Sequence, residues 1–159
     1  MDFETRAVAA CALQRFLDCD TTNDDYESEY PLPELFGRKW SSDLAIRAIY
    51  EFSWSLFDDI NTHRLEGKYA LNEETERVGR RCVLFLRSSA EYEWREAKFI
   101  KAGALLSHLV TLNLMDRPLT LEEQLAAHLN EAEGEAAVWP FFRHSTYELA
   151  LNEQRTKGS

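Results

Sequence analysis

The sequence predicts an all-α protein: a single-domain helical bundle of about five to six helices, with a long acidic loop after the first helix. Apolar residues recur at the spacing of amphipathic helices along most of the 159 residues. Several of these segments begin with a side chain that can cap a helix N-terminus. Because 45% of the residues are hydrophobic and 12% are aromatic, the chain can bury one core. We expect one helical domain over residues 1–152 and a frayed polar tail over 153–159.

The first predicted helix covers residues 3–18, and the spacing of its apolar residues predicts one face buried in the core. We expect Arg6 to lie on the opposite face, in solvent. The residues expected on the buried face are Val8, Cys11 or Ala12, and Phe16. Residues 20–40 show no helical period. Loops of that length are uncommon in compact domains unless they have a function or are disordered, so this segment is the first place to look for a site.

A second helix is expected to begin at the serines 41–42, and its apolar stripe continues to Ile60. A third helix is expected after Asn72, a candidate cap that is followed by several glutamates, because the helix dipole favours negative charge in the first turn. Within it, the stretch Cys82–Leu86 would also suit a buried strand. An α+β fold with a small hairpin near 82–95 is therefore the structural alternative.

Ser88 and Glu91 stand at the spacing of a capping box and predict a fourth helix over about 88–114. Beyond Gly103 this helix is apolar on nearly every side, as is typical of the central helix of a bundle. A fifth helix is expected over about 120–134, and a short last helix over about 145–152.

The chain is strongly acidic: 28 acidic side chains against 18 basic ones give a formal net charge of −10. Such a charge repels phosphate backbones and anionic lipids, so neither nucleic acid nor a membrane is expected as a partner. No uncharged stretch reaches the roughly 20 residues that span a bilayer. The N-terminus lacks the basic start of a secretory signal, and the three cysteines cannot form a closed disulfide framework. These features predict a cytoplasmic protein with free thiols.

The densest cluster of carboxylates lies in residues 18–29 and leads into several aromatic residues. Carboxylates can steer a basic surface and large aromatic side chains can anchor it, so we expect a protein-binding protein of the inhibitor, immunity or antitoxin kind. The residues expected to bind the basic partner are Asp24, Asp25, Glu27, Glu29, Tyr30, Phe36 and Trp40. The alternative is a solvated loop whose apolar side chains pack onto the core.

A second hypothesis is a helical-bundle enzyme, or a small-ligand or metal-binding protein, with an internal pocket around His108. This histidine lies in the most apolar part of the chain and needs a hydrogen-bond partner if it is buried. The residues expected to share the pocket are Asp59, His63 and Glu96. A structural core histidine explains the same pattern. The paired Glu-x-x-His spacing of di-iron bundles is missing, and the pairs Asp59/His63 and His144/Glu148, which are one helical turn apart, are weak evidence for a metal. The common nucleotide-binding and nucleophile motifs are also missing, so we expect no cofactor and favour a non-enzymatic role.

Two further features leave alternatives open. The third predicted helix carries a group of arginines that either bind an anionic ligand or pair with carboxylates of the same chain. These are Arg77, Arg80, Arg81 and Arg87. A third functional alternative is a homo-oligomeric structural subunit, joined through the aromatic faces of the second and fourth helices, which would make the protein a homodimer or a larger assembly.

Overall fold

The computed structural model describes residues 1–31, 43–58, 60–93 and 138–157. The α-helices in these ranges are α1 (Phe3–Leu17), α2 (Asn23–Glu29), α3 (Leu44–Ser53), α4 (Glu73–Arg87) and α5 (His144–Lys157). Two single-turn 3₁₀ helices are also present, at Trp54–Leu56 and Gly67–Tyr69. This part of the chain is mostly helical and contains no strand, which is consistent with the predicted all-α class.

Helices α1 and α4 begin and end close to their predicted bounds. Asn72 caps α4 as expected, because its side-chain oxygen accepts a hydrogen bond from the backbone N–H of Thr75 at 2.8 Å. Three glutamates lie in the first turn of α4, where the helix dipole favours negative charge. The structural alternative, a hairpin near 82–95, requires its first strand at Cys82–Leu86. This stretch lies inside α4, so that strand prediction is wrong.

The buried face of α1 differs from the prediction. Ala12 and Phe16 are buried as expected, but Val8 is 48% exposed and Cys11 is exposed as well. Arg6, which we expected in solvent, is fully buried. The helix is turned about its axis relative to the predicted orientation, because its packing against α4 encloses Arg6 together with hydrogen-bond partners from other parts of the chain.

A buried ion pair joins the N-terminal ends of α1 and α3. Arg6 Nε donates to Asp43 Oδ2 at 2.7 Å, and Arg6 Nη2 donates to Asp43 Oδ1 at 3.0 Å. The remaining guanidinium nitrogen, Nη1, donates to the carbonyl oxygen of Ala90 at 2.8 Å. Asp43 also caps α3 by accepting the N–H of Ala45. Burial disfavours the charged carboxylate, but these hydrogen bonds outweigh it and lower the pKa of Asp43.

A short helix replaces part of the predicted acidic loop. Thr22 Oγ1 accepts the N–H of Asp25, and the Asp25 carboxylate accepts the N–H of Thr22, both at 3.2 Å. This capping box starts α2, so the loop prediction is wrong for Asn23–Glu29. Residues 32–40, which complete the predicted loop, lie outside the described residues.

Helix α3 is shorter than predicted. Asp43 caps it, whereas the predicted caps, the serines 41–42, lie outside the described residues. The α-helix ends at Ser53 and passes into the 3₁₀ turn, so the apolar stripe does not continue as one helix. Ile60, which was expected in that stripe, is 89% exposed.

Ser88 ends α4 and does not open a new helix. Its hydroxyl donates to the carbonyl of Phe85 at 2.8 Å and accepts the N–H of Ala90 at 3.1 Å. Residues 88–93 are not helical, so the predicted capping box with Glu91 is wrong. The remainder of the predicted fourth helix and the whole of the fifth lie outside the described residues.

The last helix is longer than predicted. It was expected to end near residue 152, but α5 continues to Lys157, so the predicted frayed tail is helical as far as that residue. Helix α5 packs against α4. In this contact the guanidinium of Arg81 lies over the Tyr147 ring at 5.8 Å. Tyr147 also lies 5.3 Å from the ring of Phe141, which precedes α5.

The core of the described residues lies between α1 and α4, and α2, α3 and α5 pack around this pair. Aromatic side chains fill much of it. Phe85 meets Phe141 edge-on, with ring centroids 4.8 Å apart, and Phe52 lies 5.3 Å from Trp139. Such ring contacts add to the stabilisation that burial alone supplies.

We expect the replacement Asn72→Ala to lower the free energy of unfolding by about 1 kcal/mol, because it removes the side-chain acceptor at the start of α4. Urea denaturation followed by circular dichroism measures this change. The matched control is Asn152→Ala on the exposed surface of α5, which we expect to alter stability by less than about 0.5 kcal/mol. Equal losses in the two variants would contradict the capping role of Asn72.

Candidate functional site

Asn23, the first residue of α2, connects that helix to the segment that follows α3. Its side-chain amide donates to the carbonyl oxygens of Asp58 and Asn61, both at 3.2 Å. Its side-chain oxygen accepts the N–H of His63 at 2.8 Å, and its own N–H donates to the carbonyl of His63 at 3.0 Å. One fully buried amide therefore holds Asp58, Asn61 and His63 beside α2.

His63 is the one member of the predicted internal pocket that the structure describes. It is buried, its Nδ1 lies 2.7 Å from the carbonyl oxygen of Asn61, and its ring stacks on Tyr69 with centroids 3.7 Å apart. A carbonyl only accepts, so Nδ1 donates this hydrogen bond. Nε2 is buried and has no hydrogen-bond partner among the described residues. Its proposed companions Asp59, Glu96 and His108 lie outside them.

Metal binding has no support in the residues that the structure describes. No group of three or more histidine, cysteine, aspartate or glutamate side chains in those ranges could hold a metal ion. The three cysteines are all free. Burial raises the pKa of the Cys82 thiol, which favours the protonated, unreactive form.

Tyr26 and Tyr30 project from α2 into the core. Tyr26 stacks on Phe16 at 4.8 Å and its hydroxyl contacts Ser53 Oγ at 2.6 Å, while the Tyr30 hydroxyl donates to the carbonyl of Ile46 at 2.8 Å. Burial raises the pKa of both phenols. The expectation that Tyr30 anchors a partner is therefore corrected, because this side chain is buried and its hydroxyl is used inside the protein.

The aromatic contacts continue from Tyr30 to the surface. Tyr30 lies 5.3 Å from Tyr50, and Tyr50 lies 6.1 Å from Trp54. Trp54 Nε1 donates to the Tyr50 hydroxyl at 2.9 Å, which orients the indole, yet the side chain is 53% exposed. Trp54 was not recognised as a surface residue because it falls within the apolar stripe of the second predicted helix. The available signal was Tyr50 one helical turn before it, a spacing that brings two rings together.

Two carboxylates of the acidic segment are used in ion pairs within the protein. Asp18 accepts from Arg80, and Glu29 accepts from Arg15 at 2.6 Å. The hydrogen bonds from Arg80 and Gln14 lower the pKa of Asp18. Glu29 was expected to face a partner, so its pairing with Arg15 reduces the charge that it can offer.

The other carboxylates of this segment remain at the surface. Asp20, Asp24 and Asp25 are exposed and Glu27 is half-buried, and none of the four forms an ion pair within the described residues. Asp24 accepts from the hydroxyl of Thr62, and hydrogen bonds from Thr22 lower the pKa of Asp25. Phe36 and Trp40, the remaining predicted anchors, lie outside the described residues.

Two arginines of the group on α4, Arg77 and Arg80, form ion pairs that the described residues show. Arg77 pairs with Glu73 at 2.9 Å and with Glu74 at 2.8 Å. Arg80 pairs with Glu76 as well as with Asp18. These contacts support internal pairing for Arg77 and Arg80, rather than an anion site at this position.

Comparison with known proteins returns no match: no protein-family model fits the chain, and no curated protein and no solved structure is significantly similar to it. The function must therefore be argued from the residues and their geometry. Among the described helices, none combines the length and the hydropathy needed to cross a bilayer.

Proposed function

We propose that this chain is a non-enzymatic protein-binding protein, of the inhibitor, immunity or antitoxin kind, that docks a basic protein. The docking site is the α2 surface, which we define as Asp20, Asp24, Asp25, Glu27, Trp54 and Ile60. The observation that carries the proposal is that carboxylates without ion pairs in the described residues lie on α2 or just before it, and that neighbouring segments expose two large apolar side chains.

The two apolar side chains belong to segments that contact α2. Trp54 follows α3, and the Tyr26 contact with Ser53 and the Tyr30 contact with Tyr50 hold the end of α3 against α2. Ile60 lies in the segment that Asn23 fixes. Interfaces draw much of their affinity from a few large side chains with a charged rim around them, and the α2 surface has this composition.

Charge complementarity defines the partner. The carboxylates of the α2 surface would attract lysine- and arginine-rich surfaces and repel acidic ones, so they would act mainly on the rate of association. Trp54 is held in place by its hydrogen bond to Tyr50. Because less conformational entropy is lost when such a side chain is ordered beforehand, Trp54 is suited to slow the release of a bound partner.

Affinity capture from extracts of the source cells tests this proposal, followed by binding kinetics on the captured protein. The test bait carries Asp20→Asn, Asp24→Asn and Glu27→Gln, and we expect its association rate to fall about tenfold at low salt. Raising the salt to 1 M shortens the Debye length to about 3 Å and should remove the difference. Trp54→Ala should instead speed dissociation.

The matched control bait carries Glu73→Gln, Glu74→Gln and Glu76→Gln on α4, which change the net charge by the same amount at a different surface. It should capture the basic protein at the wild-type rate. If both charge variants behave like the wild type, or if both lose the partner equally, the α2 surface does not bind it. Capture of an acidic protein at this surface would also contradict the proposal.

A further inference from the structure

The solvent-facing side of α1 carries a stripe that no described residue covers. Glu4, Val8, Cys11 and Arg15 are all exposed, and their spacing of four, three and four residues places them along one line of the helix. The opposite side of α1 packs in the core. We call these four residues the α1 stripe.

The order of residue types along the α1 stripe makes the stripe complementary to an antiparallel copy of itself. Read from the N-terminus it is acidic, apolar, apolar and basic; read from the C-terminus it is basic, apolar, apolar and acidic. Two copies placed antiparallel therefore put Glu4 opposite Arg15 of the other copy at both ends, and Val8 opposite Cys11 in the middle. A two-fold interface requires this property, because one patch must recognise itself.

We propose that the α1 stripe binds a second copy of this chain, with the two α1 helices antiparallel. The chain as a whole carries a net charge of −10, so most of its surfaces repel a second copy. The charges of the α1 stripe sum to zero, so the four residues of the stripe add no net repulsion of their own. This inference is independent of the proposed function, because the α1 stripe and the α2 surface share no residue.

Arg15 can contact Glu4 of a second copy without losing its contact with Glu29. In one copy its Nη1 contacts both carboxylate oxygens of Glu29, at 2.6 and 2.7 Å. Nε and Nη2 form no hydrogen bond within the described residues, so they can bind Glu4 of the other copy while the bond to Glu29 persists. Val8 and Cys11 supply the apolar centre, and the small Cys11 side chain lets the helices approach closely. One helix face is smaller than the standard interface, so the dimer should dissociate on dilution.

Sedimentation velocity over a range of protein concentrations, with reductant present to prevent disulfides, tests the proposal. The wild type should pass from monomer to dimer as concentration rises. Glu4→Arg and Arg15→Glu should each raise the dimer dissociation constant about tenfold or more, because each places like charges opposite one another twice. The double variant with both changes restores opposite charges and should return to within about threefold of the wild type.

Two further variants complete the experiment. Val8→Asp should abolish the dimer, and Glu73→Arg on the exposed part of α4 should leave it unchanged. Circular dichroism checks that every variant remains folded. A wild type that stays monomeric at all concentrations overturns the proposal. So does a dimer that tolerates both single charge changes, or one that the double variant does not restore.

Discussion

Replacing Asp43 with alanine is expected to destabilise the protein by about 3–5 kcal/mol, a large part of the stability of a domain this size. Arg6 is 1% exposed and directs two of its nitrogens to this carboxylate. Without Asp43, the carbonyl of Ala90 is the one acceptor that the described residues still offer to the guanidinium, and the buried positive charge loses the carboxylate that neutralises it. The carboxylate that caps α3 is lost as well.

Urea denaturation of Asp43→Ala, Arg6→Met and the double variant measures this effect. The double variant should recover at least about 2 kcal/mol of the single loss, because an apolar side chain in the same space needs no counter-charge. Arg77→Met, which removes an exposed arginine from α4, should change stability by less than about 1 kcal/mol. Losses in the double variant that equal the sum of the single losses would show that the two groups do not interact.

The destabilisation of Asp43→Ala should depend on pH in one direction. The pKa of Asp43 is lowered in the folded protein, so the ion pair stabilises the fold fully above the pKa of an unfolded aspartate, about 3.9. This contribution is lost as the pH falls through the lower, folded-state pKa. The difference between the wild type and the variant should therefore be largest near neutral pH and shrink below about pH 4.

The replacement Asn23→Ala should destabilise the protein by about 2–4 kcal/mol, because it leaves buried backbone groups without their hydrogen bonds. The carbonyls of Asp58 and Asn61 lose a donor, and the N–H of His63 loses its acceptor. Urea denaturation measures the global change, and hydrogen exchange at the His63 amide should show a local loss of protection. The control Thr62→Val removes only an exposed hydrogen bond from the same segment and should cost less than about 1 kcal/mol. Equal effects of the two changes would contradict the role given to Asn23.

The bounds of α1 and α4 could be predicted because local signals agree there. Asn72 is followed by glutamates and then by apolar residues at helical spacing, so the cap, the dipole and the period all indicate one helix start. The orientation of α1 could not be predicted. A pattern of apolar and polar residues always assigns an arginine such as Arg6 to the solvent side. Its burial depends on Asp43 and Ala90, which the sequence does not identify as neighbours.

Helix α2 shows why short elements escape sequence analysis. Its seven residues are mostly polar, and only Asn23 and Tyr26 are buried, so no apolar period is visible. The capping signal, Thr22 followed by Asp25, was present. A helix of this length is not stable alone, and here tertiary contacts of Asn23, Tyr26 and Tyr30 hold it.

The charged part of the candidate site could be predicted better than its apolar part. Asp24 and Asp25 are exposed, as expected for carboxylates in the most acidic segment of the sequence. Tyr30, which was expected at the surface, is buried, and Trp54, which falls in a predicted apolar stripe, is exposed. The exposure of an aromatic side chain depends on which element packs over it. Tyr30 found the carbonyl of Ile46 inside the protein, while the 3₁₀ turn after Ser53 left Trp54 at the surface.

The contacts of Arg6 also have a consequence for the time course of folding. They join residues that are 37 and 84 positions apart, so long loops must close before the guanidinium meets its partners. Both charged groups must lose their water before the pair forms. Interactions of this kind are expected after the rate-limiting barrier, where they slow unfolding and leave the folding rate almost unchanged. We therefore expect the buried ion pair to lengthen the lifetime of the native state once it has been reached.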